Sequence, residues 1–282
     1  MQHYPESALY VVATPIGNLA DISLRALQVL QLVDAIACED KRHSQPLLRQ
    51  YGIDKPLLAV HEHNEAQAAG LVIERLQRGE RVAYISDAGT PAVSDPGARL
   101  VAAVRAAGLT AMPLPGASSV TAVLSVAGLG SPGGDTSFVF AGFLPSKAGE
   151  RDQAIQKLQN DNRAIVILEA PHRIEALAKA LAVLQDRLVT VGRELTKQFE
   201  EIATVPAQDF AGWLAAGAQR TRGEFALVLH PCAVADSPED GTRVLQLLLA
   251  ELPLKTAVKV AAEITGVGRN ELYDTALKLK KE

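Results

Sequence analysis

Export, membrane insertion and disulfide bonding find little support in this sequence. It has only two cysteines, Cys38 and Cys232, which lie far apart and in no CxxC spacing, so neither a disulfide framework nor a zinc site is indicated. No apolar run approaches the ~20 residues that span a bilayer. The first ten residues, MQHYPESALY, lack the charged and apolar regions of a signal peptide. We therefore expect a soluble, cytoplasmic protein with no membrane partner.

An excess of positive charge is also missing. Lys and Arg number 28 against 32 Asp and Glu, a formal net charge of -4. The net charge of the protein does not attract nucleic acid electrostatically, so an anionic partner must bind to local patches of basic residues. The sequence has no HExxH, no clustered Cys and His and no nucleophile elbow. We expect no metal, and a reaction that depends on orientation and charge rather than on hydrolysis.

What the sequence does contain is a regular alternation of strands and helices. The runs ALYVVAT, AIACE, RVAYIS and LTAMPL alternate with amphipathic segments, which predicts an α/β domain with a mainly parallel sheet over residues 1–128. The runs SFVFAGF, AIVILEA, RLVTVGREL, FEEIATV and EFALVLHP predict a second α/β domain with a mixed sheet over residues 129–234. After a linker, CAVADSPEDGT, residues 240–282 predict a helix-turn-helix. Asp21 is the expected N-cap of the first helix.

Four predicted strands of the first domain end in unusual loops, TPIGNLADI, EDKRHS, SDAGTPAVSDPG and LPGASS. Because the carboxyl ends of parallel strands share one edge of a sheet, these loops are expected to converge on one crevice. Asp95 and Pro96 are explained as the N-cap and first residue of the next helix. The DAGTP half has no such explanation, and Gly89 within it allows close backbone approach. DAGTP is therefore the expected ligand loop.

The stretch CEDKRHS admits a structural and a functional interpretation. A run of charges is commonly a solvated helix entrance. Alternatively, Lys41, Arg42 and His43 hold phosphates while Glu39 or Asp40 meets a ribose or cofactor hydroxyl.

Two further motifs have competing interpretations. In LEAPHR, Pro171 fits the first turn of a helix, yet Glu169, His172 and Arg173 at the end of a buried strand also suit a crevice. GLGSPG, residues 128–133, matches GxGxxG, but a helical run precedes it and a strand follows, the reverse of a dinucleotide fingerprint. An inter-domain loop is the better interpretation of GLGSPG.

The motifs, taken in order, resemble the tetrapyrrole methylase superfamily, the class III S-adenosylmethionine-dependent methyltransferases. They are still more similar to its bacterial members that methylate 16S ribosomal RNA at a cytidine 2′-oxygen. The motifs concerned are YVVATPIGNLADISLRAL, ACEDKRHS, YISDAGTPAVSDPG, PGASS, GFLPSK, EAPHRI, RELTKQFEE and GEFALVL. The resemblance covers about residues 9–229, and the C-terminal segment resembles the helix-turn-helix appendage of those enzymes. One departure is Lys41, where the family more often has a small hydroxyl residue.

This resemblance implies two α/β domains with S-adenosylmethionine in the cleft between them, bound without a GxGxxG loop. The cofactor contacts that it implies fall on Pro15, Ala88, Gly89, Thr90, Val93, Ser118, Ser119 and Glu169. We add Asp87, from its position at the end of a strand.

The implied reaction is 2′-O-methylation of a decoding-centre cytidine in the 16S RNA of the small ribosomal subunit. A hydroxyl reacts better once its proton is accepted, and Asp87, Glu169 and His172 are the candidate bases. One alternative is C-methylation of a tetrapyrrole of the uroporphyrinogen or precorrin type. The enzymes of that type usually have the motifs GPGD and GDPxxFGRG. This sequence has TPIGN and GTPAVSDPG instead, which argues against the alternative. Another is a non-catalytic RNA-binding protein, which would not need intact cofactor loops.

The basic residues are concentrated toward the C-terminus. Residues 241–282 carry seven basic and five acidic side chains. We expect this tail to contact RNA phosphates, with an affinity that falls as salt rises. The alternative role of the helix-turn-helix is protein docking or dimer support, and the resemblance implies a homodimer. The other predicted RNA contacts are Arg42, His43, Lys147, Arg173 and Lys197.

Overall fold

The computed structural model describes residues 3–61, 65–93, 97–129, 137–232 and 238–279. The chain divides into two compact units, one of residues 1–159 with 163–231 and one of residues 160–162 with 232–282. The first unit holds two five-stranded sheets. The predicted boundaries at residues 128/129, 234 and 240 stay predictions.

The first sheet is parallel throughout, as the alternating pattern predicts. Its strands are β1 (Ala8–Val12), β2 (Ala35–Cys38), β3 (Leu57–Ala59), β4 (Val82–Ile85) and β5 (Thr110–Leu114). They lie in the order β3-β2-β4-β1-β5. All residues of β2 and β4 are buried, which explains their continuous apolar sequence. The sequence analysis missed β3.

Helices cover both faces of this sheet. They are α1 (Leu24–Leu32), α2 (Lys41–Gln50), α3 (Glu65–Gln77) and α4 (Gly97–Ala106). The next helix, α5 (Ser119–Val126), packs against the second sheet instead. The prediction of Asp21 as N-cap of α1 is wrong: Ser23 accepts the Ala26 N–H at 3.0 Å, while Asp21 ends a preceding short 3-10 helix. Asp95 and Pro96 lie outside the described residues, as do residues 130–133 of GLGSPG.

The second sheet is mixed, also as predicted. Its strands are β6 (Phe138–Phe143), β7 (Ala164–Glu169), β8 (Leu188–Arg193), β9 (Glu201–Pro206) and β10 (Phe225–Leu229). In the order β6-β7-β10-β8-β9, only the β6–β7 pair is parallel. Its helices are α6 (Ala148–Leu158), α7 (Ile174–Leu181) and α8 (Phe210–Ala215). The prediction that Pro171 begins a helix is wrong, because α7 begins at Ile174 and Pro171 lies in the turn before it.

The second unit is helical, with α9 (Pro238–Glu251), α10 (Leu254–Thr265) and α11 (Arg269–Leu279). The predicted turn is confirmed at Gly266, which has the left-handed φ of 75° and ends α10 by donating its N–H to the Ala262 carbonyl. The predicted linker ends earlier than expected, because α9 already begins at Pro238. A small core that includes Leu245, Ala257 and Leu272 joins the three helices. Within the described ranges, no helix is long and apolar enough to cross a membrane.

Candidate active site

The loops that follow β1, β4 and β5 are hydrogen-bonded to one another at the carboxyl edge of the first sheet. Thr14 and Gly89 exchange backbone hydrogen bonds, from Thr14 N to Gly89 O at 2.9 Å and from Gly89 N to Thr14 O at 3.1 Å. The Thr90 hydroxyl donates to the Ala117 carbonyl at 3.0 Å. The DAGTP loop is thereby fixed between TPIGN and PGASS, and the predicted convergence of these loops is confirmed.

Gly89 is required by the geometry of this junction. Its φ of 80° is left-handed, and a Cβ built there would lie 3.3 Å from Ile16 Cγ2. A side chain at this position would combine backbone strain with a tight contact. The glycine thus allows two loops to approach each other at the site.

A cleft of about 410 Å³ lies between this edge and the second sheet. Predicted cofactor residues that line it are Asp87, Ala88, Gly89, Thr90, Val93, Ser118, Ser119 and Glu169. Pro15 is not among the lining residues, although the next residue, Ile16, is. His172, a candidate base, also lies outside the lining and is exposed, whereas Pro171 beside it is part of the wall.

Sequence reasoning missed most of the wall that the second sheet contributes. Its residues include Phe143, Leu168, Gly192, Leu195, Glu224 and Phe225. They are mainly apolar and lie at or near strand ends, so nothing in their identity distinguishes them from core residues. Their one shared feature in the sequence is a position at or near the end of a strand. That position indicates a cleft residue only when the order of the strands in the sheet is known.

Glu169, at the end of β7, is a buried carboxylate in the cleft wall, with a side chain that is 0% exposed. Its Oε1 accepts the Ala170 N–H at 2.8 Å. Arg173 Nε lies 3.0 Å from the same oxygen, at an angle that makes this an ion pair rather than a hydrogen bond. Within the described residues, Oε2 is buried and has no hydrogen-bond partner. A buried carboxylate oxygen without a donor is costly, and a bound ligand can supply that donor.

Asp87 is held from two directions. Its Oδ1 accepts the Asp40 N–H at 3.3 Å, and its Oδ2 lies 3.0 Å from His43 Nδ1. Asp40 is the N-cap of α2, so CEDKRHS is indeed a helix entrance, but one directed at the DAGTP loop. Asp87 also borders a second cleft of about 430 Å³.

Arg42 and Asp40 form a bidentate ion pair at this helix entrance. Arg42 Nη2 lies 2.6 Å from Asp40 Oδ2 and Nε lies 3.0 Å from it, while 88% of the arginine side chain is exposed. The hydrogen bonds from Arg42 lower the pKa of the Asp40 carboxyl to about 2. Arg42 is therefore accessible but already has an anionic partner.

The other predicted phosphate contacts differ in accessibility. Lys147 is exposed and pairs with Glu150 at 3.0 Å. Arg173 is largely buried, donates to the Leu144 carbonyl and neutralises Glu169. Lys197 is also largely buried and donates to Glu194 and Glu224. Arg173 and Lys197 are thus paired with carboxylates in this structure, and their predicted phosphate contacts stay predictions.

In the described part of the chain, no group of three or more His, Cys, Asp and Glu side chains is arranged to hold a metal ion. The site therefore consists of two adjoining clefts, one buried carboxylate and one carboxylate–histidine pair.

This fold and cleft match a known class of proteins. Residues 8–211 match the family Tetrapyrrole (Corrin/Porphyrin) Methylases, and residues 235–280 match the RsmI C-terminal HTH domain. Because the first match covers well over half of the chain, the chain belongs to this family of methylases.

Close relatives share one name, Ribosomal RNA small subunit methyltransferase I. The protein of that name from Pseudomonas aeruginosa is 48% identical over 275 residues, covering 95% of this chain and 96% of that protein. The one from Escherichia coli O157:H7 is 44% identical over 276 residues, with 96% and 95% covered. The one from Neisseria meningitidis serogroup A is 46% identical over 280 residues, with 97% and 94% covered.

Solved structures with the same fold are more distant in sequence. The cobalt precorrin-4 methyltransferase CbiF has a TM-score of 0.59 at 18% identity, covering 79% of this chain and 94% of that chain. Diphthine synthase has a TM-score of 0.59 at 16% identity, with 79% and 90% covered. Uroporphyrin-III C-methyl transferase from Thermus thermophilus, complexed with S-adenyl homocysteine, has a TM-score of 0.54 at 14% identity, with 78% and 96% covered. These likenesses concern the fold.

Proposed function

We propose that this protein transfers a methyl group from S-adenosylmethionine to the 2′-oxygen of a decoding-centre cytidine in 16S ribosomal RNA. The observation that carries the proposal is the cleft at the carboxyl edge of the parallel sheet, with its fixed DAGTP loop and Glu169 Oε2, which has no hydrogen-bond partner among the described residues. The name shared by relatives at 44–48% identity supports ribosomal RNA of the small subunit as the acceptor.

The residues of the first cleft, between the two sheets, fit S-adenosylmethionine. Glu169 Oε2 suits an ammonium or ribose hydroxyl donor, and the apolar side chains of Leu195 and Phe225 suit an aromatic ring such as adenine. The backbone around Gly89 allows close approach of a ligand. A related structure of the same fold is complexed with S-adenyl homocysteine, which supports the same choice. When bound, the sulfonium supplies a methyl group that is already activated for transfer.

The residues of the chain are expected to orient the two reactants and to accept the proton of the attacking hydroxyl. Holding two reactants in line can lower a barrier by ~7–11 kcal/mol relative to free encounter. Of the three candidate bases, Asp87 and Glu169 line the cleft, whereas His172 does not. Because Glu169 Oε1 is engaged by Ala170 and Arg173 and its Oε2 is proposed to bind the cofactor, the proton acceptor is better sought around Asp87.

The RNA is expected to meet basic groups outside the first cleft. Exposed Arg42 and Lys147 remain candidates, together with the C-terminal unit, where Lys255 and Lys259 are exposed on α10. As part of this proposal the protein acts in the cytoplasm as a homodimer. The competing tetrapyrrole C-methylation is supported by the name of the matched family and by solved structures at 14–18% identity, whereas the relatives at 44–48% identity carry the name of a ribosomal RNA methyltransferase.

The test is incubation with S-adenosylmethionine labelled in its methyl group, together with small ribosomal subunits, free 16S RNA or uroporphyrinogen. We expect label in the RNA of the subunit, at one cytidine, resistant to alkaline cleavage because the 2′-oxygen is blocked. Label in uroporphyrinogen and none in RNA would support the tetrapyrrole alternative. Calorimetric binding of S-adenosylmethionine without any transfer would instead favour a non-catalytic protein.

A further inference from the structure

The two clefts of the first unit meet at Asp87. The first one, of about 410 Å³, is the proposed cofactor site, and the second one, of about 430 Å³, has a size suited to a nucleotide. Glu39 and Asp87 line both. Lys41 and Arg42 add two cations, which suit a phosphate, to a lining that also holds the carboxylates Glu39, Asp40 and Asp87. Given the proposed function, on which this inference rests, a ribose in the second cleft would lie beside Asp87.

His43 is the side chain that Asp87 orients. Its Nδ1 lies 3.0 Å from Asp87 Oδ2, and an ionised carboxylate can only accept, so we assign the ring proton to Nδ1. The remaining nitrogen, Nε2, then carries a lone pair. The His43 side chain is 68% exposed, which leaves room for a ligand beside it. The pair therefore has the arrangement of a base with its orienting carboxylate.

The surroundings of His43 support this division of roles. Asp87 has both oxygens engaged, one by the Asp40 N–H and one by His43. Asp87 contacts the ring directly, while Asp40, which also interacts electrostatically with His43, is neutralised by Arg42 through their bidentate pair. Asp87 is thus the carboxylate left to pair with the imidazole.

We infer that His43 accepts the proton of the acceptor ribose 2′-hydroxyl and that Asp87 is its positioning residue. As the bond from the 2′-oxygen to the methyl carbon forms, the carbon–sulfur bond breaks and its electron pair goes to sulfur. The hydroxyl proton moves to His43 Nε2. The imidazolium that results is stabilised by Asp87 and returns the proton to water.

The test combines kinetics, cofactor binding and nitrogen NMR. We expect His43→Ala to lower kcat for subunit methylation about 100-fold or more, with the Kd for S-adenosylmethionine changed less than about twofold. Added imidazole should restore part of the rate. His3→Gln is the matched control, because His3 is exposed and precedes Tyr4, whose carbonyl binds Arg81 at the opposite, amino-terminal edge of the sheet. It should leave kcat unchanged.

The role of Asp87 in orienting His43 is tested by measuring which ring nitrogen of His43 carries the proton. In the wild type the ring should carry its proton on Nδ1. In Asp87→Asn the amide can donate to Nδ1 and leave the proton on Nε2, with a loss in kcat of tenfold or more. The double variant His43→Ala, Asp87→Asn should be no slower than His43→Ala alone.

The outcomes separate this inference from the proposed function. If the wild type transfers no methyl group to the subunit, the proposed function fails and this inference fails with it. If the wild type is active but His43→Ala raises only the KM for the subunit, His43 is a phosphate contact and the inference is overturned. A wild-type ring protonated on Nε2 would overturn it independently of any activity.

Discussion

The aliphatic chain of Lys197 covers Gly17, so that a Cβ built at position 17 would lie 2.3 Å from Lys197 Cγ. Gly17 belongs to the loop after β1 of the first sheet, and Lys197 follows β8 of the second. The ammonium of Lys197 donates to Glu194 Oε1 at 2.9 Å and to Glu224 Oε2 at 3.0 Å. One lysine therefore packs against a loop of the first sheet while its charge is held by the second.

Gly17→Ala should destabilise the protein by about 1–3 kcal/mol, the usual cost of overpacking. The new methyl group would displace the Lys197 chain, which cannot move without disturbing its two hydrogen bonds. The measurement is the urea midpoint of unfolding. The control is Gly70→Ala in α3, where nothing lies within 4 Å of the added Cβ and alanine should stabilise the helix by ~1 kcal/mol. An unchanged midpoint for Gly17→Ala would contradict the packing described.

Lys197→Met should cost stability in a pH-dependent way. Burial alone would raise the pKa of Glu194, but hydrogen bonds from Lys197 and the Glu224 N–H lower it on balance. Burial would likewise lower the pKa of Lys197, yet its bonds to Glu194 and Glu224 raise it on balance. The carboxylate contribution is present above its unfolded pKa of ~4.3 and is lost as the pH falls through the depressed folded value. The lysine contribution is present below ~10.4 and is lost as the pH rises through the raised value.

The free energy of unfolding should therefore differ most between wild type and Lys197→Met from about pH 4.3 to 10.4, by on the order of 1–3 kcal/mol. Denaturant titrations at several pH values measure this difference. Lys179→Met, at an exposed position of α7, is the control and should change stability little at any pH. A difference for Lys197→Met that does not shrink in acid would argue against the pairing with Glu194.

The sequence predicted the outline of the fold because buried parallel strands have a distinctive composition. The runs that became β2 and β4 are apolar at every position and fully buried. β3 escaped notice because it has only three residues, all half-buried. The loops on the first sheet were identified because glycine, proline and aspartate are unusual after a strand. Leu195 and Phe225 were not, since an apolar residue in a ligand cleft has the same sequence signature as one in a core.

Two contacts at the site had no counterpart in the sequence. Asp87 and His43 are separated by 44 positions, and only the adjacency of β2 and β4 brings them within 3.0 Å. Arg173 was predicted to bind phosphate from its charge, and the turn between β7 and α7 brings it back to Glu169, where it is the counter-ion of that buried carboxylate. The roles of charged residues depend on partners that a linear pattern does not specify.

Gly89→Ala should weaken binding of S-adenosylmethionine, because the left-handed φ of 80° and the 3.3 Å approach to Ile16 would force the DAGTP loop to move. The expected effect is about a tenfold rise in Kd, with a loss of stability of ~1–2 kcal/mol. Gly52→Ala is a matched control, since Gly52 has a φ of 68° but nothing within 4 Å of the added Cβ. It should cost similar stability and leave the Kd unchanged. The Kd of both variants for S-adenosylmethionine is measured by calorimetry. If the two variants bind the cofactor equally well, DAGTP is not a cofactor-binding loop.

Glu169→Gln should also weaken binding of S-adenosylmethionine, by tenfold or more. The substitution keeps the shape of the side chain but replaces a carboxylate, whose Oε2 lacks a partner among the described residues, with a neutral amide. A hydrogen bond to a charged group contributes about 1.5–3 kcal/mol. Glu175→Gln, at an exposed position in the first turn of α7, is the control and should bind normally. If both variants bind equally well, Glu169 serves only to pair with Arg173.

Affinity for the small subunit should fall with salt in proportion to the phosphates contacted, and Lys255 and Lys259 should contribute to that slope. They are one helical turn apart on α10 and both exposed, so they can face one phosphate backbone together. Replacing both with glutamine should reduce the slope of log K against log salt by about 1–2. Lys157→Gln in α6, also exposed, is the control and should leave the slope unchanged. An affinity that does not depend on salt would mean that the helix-turn-helix docks on protein rather than on RNA.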